Sequence, residues 1–161
     1  MSFKETIKVT EERVKKIVAV RAEIEEKADV KIIVEGNDVS ITGESLDLLK
    51  VKNIITAISR GFKPKDALLL LNDNYSLDLV EVNDFAKTKN SMIRLKGRVI
   101  GDEGRSKRFI ETRTGCVISV HGKTVSIIGE NDEILRARKA IIMLLEGAKH
   151  GSVYHMLERV E

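Results

Sequence analysis

Apolar and polar positions follow two rhythms that recur along this chain. From Cys116 to Val120 they alternate, with Cys116, Ile118 and Val120 on one face, which predicts a strand. His121-Gly122-Lys123 makes a connection, and Thr124 to Ile128 reads as the partner strand. Beyond it Asn131 is placed to cap a long helix running through Glu146, with Ile134, Leu135, Ala137, Ile141, Leu144 and Leu145 on its apolar side. Upstream, Lys89 to Leu95 reads as a short strand and Lys96 to Ile100 as a short helix. Arg105 to Thr114 reads as a helix that Gly115 ends in a left-handed cap. The predicted order is β-α-α-β-β-α, and one helical layer on a three-stranded sheet is an α+β architecture.

The same pattern occurs earlier. Shifted by 86 residues the chain matches itself, Val39 to Glu44 (VSITGE) falling on Val125 to Glu130 (VSIIGE). Ile24 falls on Ile110, Gly36 on Gly122, Leu49 on Leu135 and Gly61 on Gly147. A repeat of this length predicts two similar domains in tandem. In the first copy the pattern predicts strands at Thr6 to Thr10, Val30 to Glu35 and Asp38 to Thr42. Helices are predicted around Glu11 to Val18, Val20 to Lys27 and Ser45 to Ser59, with Ser45 as an N-cap. The expected boundaries are a first domain at 1–62, a structured connection at 63–87 and a second domain at 88–161. Pro64, the only proline, starts a helix in that connection, and Tyr75 to Val82 alternates as a strand does. His150 to Leu157 is a candidate terminal helix.

One turn carries candidate chemistry. Gly101 and Gly104 stand three apart between two predicted helices, and Arg105, Lys107 and Arg108 open the second. A helix N-terminus beside a turn with free backbone N–H groups favours an anion. Between Lys87 and Arg113 nine basic residues stand against Asp102, Glu103 and Glu111, a local net of +6 in a chain whose net charge is +3. That coincidence suits a phosphate ligand. In the first copy Lys15 and Val18 occupy the positions of the two glycines, so that copy is expected to keep the fold without the clamp.

Composition excludes several classes. At 42% hydrophobic and 33% charged, the 161 residues are globular, without an apolar run of bilayer-spanning length or a charged and apolar leader. One cysteine, Cys116, excludes an internal disulfide and fits a reducing compartment, so the cytoplasm is expected. An enzyme is not expected. His121, His150, His155 and Cys116 lack metal-ligand spacing, and no Walker, Rossmann or nucleophile-elbow pattern occurs. No cofactor or metal is expected.

Arg94 to Gly115 (RLKGRVIGDEGRSKRFIETRTG), Ile118 to Glu130, Glu146 to Arg159 (EGAKHGSVYHMLER) and Arg60 to Leu71 together resemble the archaeal branch of the KH-domain rRNA-processing family, whose eukaryotic relatives are called partner of Nob-one. The resemblance covers nearly the full length. It implies two tandem type I KH domains, the first with a degenerate G-x-x-G loop. It also implies binding of single-stranded rRNA near the 3′ end of the small-subunit precursor, with the Nob-one endonuclease and the α subunit of initiation factor two as partners. No catalytic activity is implied, and a monomer is expected. The candidate RNA-binding residues are Arg98, Ile100, Gly101, Asp102, Glu103, Gly104, Arg105, Lys107, Arg108 and Ile118. Val99, Ile100, Ile110 and Ile118 are expected to form the apolar floor, some of them as plain core. The acidic Asp102-Glu103 pair departs from the family pattern, where at least one basic residue is usual. Two other functions fit the same residues: a protein-interaction adaptor with weak RNA affinity, and a general KH-type regulator of single-stranded RNA.

Overall fold

Three short strands and two principal helices account for the first half of the chain. The computed structural model describes residues 2–159 and divides into two compact units between Asp73 and Asn74. In the first unit β1 (Phe3–Lys8) is followed by α1 (Glu11–Lys27), β2 (Val30–Glu35), β3 (Asp38–Gly43) and α2 (Ser45–Ser59). A short α3 (Pro64–Ala67), with Pro64 in its first turn, runs into a 3-10 turn at Leu68–Leu71. The antiparallel sheet has the order β1-β3-β2. Ile17 and Ile24 of α1, Ile32 and Ile41 of the sheet, and Ile54, Ile55 and Ile58 of α2 are all fully buried or nearly so.

The second unit contains β4 (Tyr75–Glu81), α4 (Lys89–Ile100), α5 (Arg105–Thr114), β5 (Val117–His121), β6 (Thr124–Glu130), α6 (Asn131–Leu145) and α7 (His150–Glu158). Its sheet order is β4-β6-β5, also antiparallel. Leu95 and Val99 of α4, Ile110 of α5, Ile118, Val125 and Ile127 of the sheet, and Ile141 and Leu144 of α6 form one core with Val153 and Leu157 of α7. Asp78 of β4 accepts from Arg138 of α6 through both carboxylate oxygens, at 2.9 and 3.0 Å, and so fastens the outer strand to the helical layer.

Several elements depart from the sequence pattern. Lys89 to Leu95, expected as a strand, is the first two turns of α4. Thr88 caps that helix by accepting from the Ser91 amide at 3.1 Å, and Leu95 and Val99 bury one face at i, i+4 spacing. The first strand of the second sheet is instead β4, whose alternation was visible in the expected connection. In the first unit one unbroken helix stands where two were expected, because residues 11–27 hold neither glycine nor proline to interrupt it. That unit therefore runs β-α-β-β-α. The 86-residue repeat is continuous only downstream of this point. Ile41 and Ile127 differ by 86, but the residues paired with them, Glu5 and Asp78, differ by 73. Thirteen residues of helix and turn are thus missing upstream in the first unit. Neither Ser45 nor Asn131 is an N-cap: Glu44 and Glu130 hold those positions. The Asn131 side-chain oxygen instead accepts from the Ser76 hydroxyl of β4. Gly115 does adopt the expected left-handed cap, at φ 70°.

Candidate nucleic-acid interface

The glycine turn joins α4 to α5 through an unusual run of backbone angles. Gly101 (φ 76°), Glu103 (φ 56°) and Gly104 (φ 74°) all lie at positive φ. Glu103 is the one non-glycine residue with positive φ among the described residues. Placing a side chain there costs roughly 1–2 kcal/mol. The Arg108 guanidinium offsets part of this by donating to the Glu103 carbonyl at 2.7 Å. The Gly104 amide donates to the Gly101 carbonyl at 3.2 Å, which closes the turn over the start of α5.

The two glycines are required for different reasons. A Cβ on Gly101 would stand 2.6 Å from the Ser106 Cβ and 2.7 Å from its amide nitrogen, so α4 and α5 approach through the missing methyl. A Cβ on Gly104 would meet only the tip of Arg108, at 2.9 Å, and there positive φ alone demands glycine.

The expected site residues divide by position. Gly101 and Gly104 frame the turn, Asp102, Glu103, Arg105 and Arg108 are exposed around it, and Ile100 is 36% exposed just before it. Lys107 is half-buried and pairs with Glu111 at 3.4 Å. Two candidates are engaged by the protein itself. Ile118 is 2% exposed and its side chain belongs to the core, as do Val99 and Ile110. Arg98 donates from Nε to the Leu144 carbonyl at 2.9 Å and from a second nitrogen to the Ala148 carbonyl. Its guanidinium thus closes the C-terminal end of α6. Ile93, 57% exposed and seven residues before Ile100 on the same side of α4, escaped the sequence reading. Helical spacing would have paired them had residues 89–95 been read as helix.

Opposite sides of α5 do different work, since residues two apart on a helix point about 200° apart. On one side, Glu111 accepts from the Ile118 amide of the edge strand β5 at 2.9 Å. On the other, Phe109 stacks on Tyr154 of α7 with centroids 4.2 Å apart, and Arg113 lies 5.3 Å over the Phe109 ring. A cleft of about 430 Å³ opens on this α7 side, between α4, the glycine turn and α7.

Cys116 precedes β5 and is 3% exposed, packed on Gly129 of β6. Burial pushes its thiol pKa up, against a smaller opposing effect of its contact with Thr114. A protonated, enclosed thiol is core and not nucleophile. No cluster of three or more histidine, cysteine or acidic side chains among the described residues could hold a metal. None of the described helices is long and apolar enough to cross a membrane.

A three-stranded antiparallel sheet covered on one face by helices, with G-x-x-G between two of them, defines a KH domain of type I in the second unit. Residues 76–161 match the model for the second KH domain of PNO1, described as a eukaryotic type KH-domain (KH-domain type I). The chain belongs to this PNO1-type KH family. It is 41% identical over 165 residues to a KH domain-containing protein of Methanocaldococcus jannaschii, covering 96% of this chain and 73% of that protein. To the pre-rRNA-processing protein PNO1 of Chaetomium thermophilum it is 30% identical over 141 residues, 86% of this chain and 52% of that one, so it spans about half of that relative. Among solved structures, Dim2p from Pyrococcus horikoshii superposes with a TM-score of 0.88 at 35% identity, covering 98% of this chain and 99% of that chain. The a/eIF2alpha-aDim2p-rRNA complex from the same organism gives 0.88 at 35% identity, covering 99% and 94%.

Proposed function

We propose that this protein binds single-stranded rRNA of the small-subunit precursor near its 3′ end, through the glycine turn of the second unit. The observation that carries the reading is the turn itself: three positive φ angles in four residues, with no β-carbon at Gly101 or Gly104, leave its backbone open to close approach, and Arg105, Lys107 and Arg108 surround it. Phosphate oxygens accept from the backbone of the turn, and the cations add charge-assisted contacts. About four nucleotides fit such a clamp. The strand lies between the turn and the edge of β5, with Ile93 and Ile100 as its exposed apolar wall. Asp102 and Glu103 weaken the local field, and Arg105 and Arg108 offset them. The solved relative in complex with rRNA supports an rRNA ligand and the initiation factor two α subunit as a partner. The Nob-one endonuclease is a further proposed partner, on the family resemblance.

The first unit, read as a KH domain that has lost one helix and the turn, has no such clamp. Its α2 instead leaves Leu46 and Leu49 exposed at 79% and 56%, which supports a part in docking a protein.

Gly104→Asp tests the clamp. It places a carboxylate in the turn, where the phosphate is to bind, at a position whose left-handed backbone aspartate tolerates better than most residues. The expected result is a loss of tenfold or more in affinity for a short single-stranded RNA, with a shallower salt slope. Unchanged affinity and slope would remove the turn from the binding site.

A further inference from the structure

The cleft on the α7 side of the glycine turn is not part of the groove beside β5, because α5 stands between them. Its charged lining is mostly cationic. Arg94 and Arg98 reach it from α4 and Arg105 from the first turn of α5, against one acid, Asp102. Among the described residues Arg94 and Arg105 have no ion-pair or hydrogen-bond partner. The Ser106 hydroxyl, on a residue that is 0% exposed, has no hydrogen-bond partner either. A buried hydroxyl without a partner normally costs about 1–3 kcal/mol; Ser126 of β6 is the other such hydroxyl among the described residues, but of the two only Ser106 lines this cleft, where a ligand can supply the missing bond. His150 completes the wall. Its Nε2 lies 2.9 Å from the Arg98 carbonyl, which fixes Nε2 as the donor and leaves Nδ1 turned elsewhere. By contrast, the larger cleft between α5, α6 and α7 pairs two of its four cations with its own acids, Arg113 with Glu158 and Arg136 with Glu133.

We propose that this cleft is a second phosphate pocket, which takes a phosphodiester of the RNA strand after it has crossed the glycine turn. This rests on the RNA reading above and extends it. The turn then serves both sides: its amides hold one phosphate toward β5, while Arg94, Arg105 and the Ser106 hydroxyl hold a later one toward α7. The C-terminal helix α7 bounds the pocket with His150 and Tyr154.

The test uses the full chain, an RNA tetramer, an RNA octamer of the same 5′ sequence and inorganic phosphate. Wild type should gain affinity on extension from four to eight nucleotides, and its salt slope should steepen by about 0.7 for each added phosphate contact. Arg94→Gln should leave tetramer binding unchanged and lower octamer affinity about fivefold to tenfold, with the slope returning toward the tetramer value. Ser106→Ala removes a hydroxyl that bonds to nothing in the free protein, so it should unfold no earlier than wild type and still lose part of the octamer gain. Variants that keep the whole gain, or a wild type that holds the tetramer and gains nothing on extension, overturn the pocket and leave the clamp standing. A wild type that binds neither oligomer overturns the RNA reading, and the strand path with it. If inorganic phosphate shifts the His150 ring resonances in wild type but not in Arg94→Gln while extension brings no gain, the pocket holds a free anion and the strand assignment is wrong.

Discussion

Glu111 Oε2 accepts a hydrogen bond from the Ile118 amide at 2.9 Å, and 86 residues earlier Glu25 Oε2 accepts from the Ile32 amide at 3.0 Å. The cation four residues before each glutamate also recurs, Lys107 at 3.4 Å in one unit and Arg21 at 3.5 Å in the other. Both acceptors cover an edge strand, β5 or β2, where an outward N–H would otherwise lack a partner. The internal repeat therefore extends to individual side-chain contacts even though the first unit has no glycine turn.

Removing the acceptor should loosen each unit to a similar degree. Glu111→Ala and Glu25→Ala should each cost about 1–2 kcal/mol in urea unfolding, because a part-buried amide loses a charged partner. Glu111→Gln, which keeps an acceptor oxygen, should cost less than Glu111→Ala. A loss confined to one of the two alanine variants would show that the contact is not equivalent in the two units.

The two glycines of the turn should separate by stability. Gly104→Ala should cost about 1–2 kcal/mol, the strain of a positive φ. Gly101→Ala puts a side chain at φ 76°, ψ 174°, a region open almost to glycine alone, and also drives a methyl into Ser106, so its melting temperature should fall clearly further. Equal losses in thermal unfolding would mean that α4 and α5 part without cost.

Arg98 should prove a stability residue. Arg98→Ala strips the Leu144 and Ala148 carbonyls of a charged donor, so a loss of about 1.5–3 kcal/mol is expected. The salt slope for a bound RNA tetramer should not change. A slope shallower by a full phosphate contact would place the guanidinium on the RNA instead.

Cys116 should make stability fall at alkaline pH. Burial holds its thiol protonated above the ordinary value of 9.0, so past that pH the unfolded chain releases a proton that the folded chain keeps. Unfolding is then favoured as pH rises from the unfolded thiol pKa toward the folded one. Wild type should lose stability relative to Cys116→Ala between pH 8 and pH 10, measured as the difference in urea midpoint. In the native state at pH 8 the thiol should also resist a disulfide-exchange reagent that labels it fully on unfolding.

The repeat, the paired strands around Gly36 and Gly122, the long helices α2 and α6, the Gly115 cap and the glycine turn were all legible in the sequence. Each is a local preference, set by apolar period or by a residue that alone tolerates its backbone angles. The sequence also located the cationic cluster, because charge adds along the chain without reference to the fold. Lys89 to Leu95 could not be settled that way. Its apolar residues fit either period over so short a run, and the Thr88 cap together with burial of Leu95 and Val99 in the core selected the helix. Likewise, nothing local told Arg98 from Arg94. Only the approach of α6 gave the first its carbonyl partners and left the second facing an open cleft. Backbone preference and periodicity act over a few residues and are written in the chain. The partner of a buried donor, and the wall of a cleft built from three helices, come from segments about fifty residues apart and exist only once the core has closed.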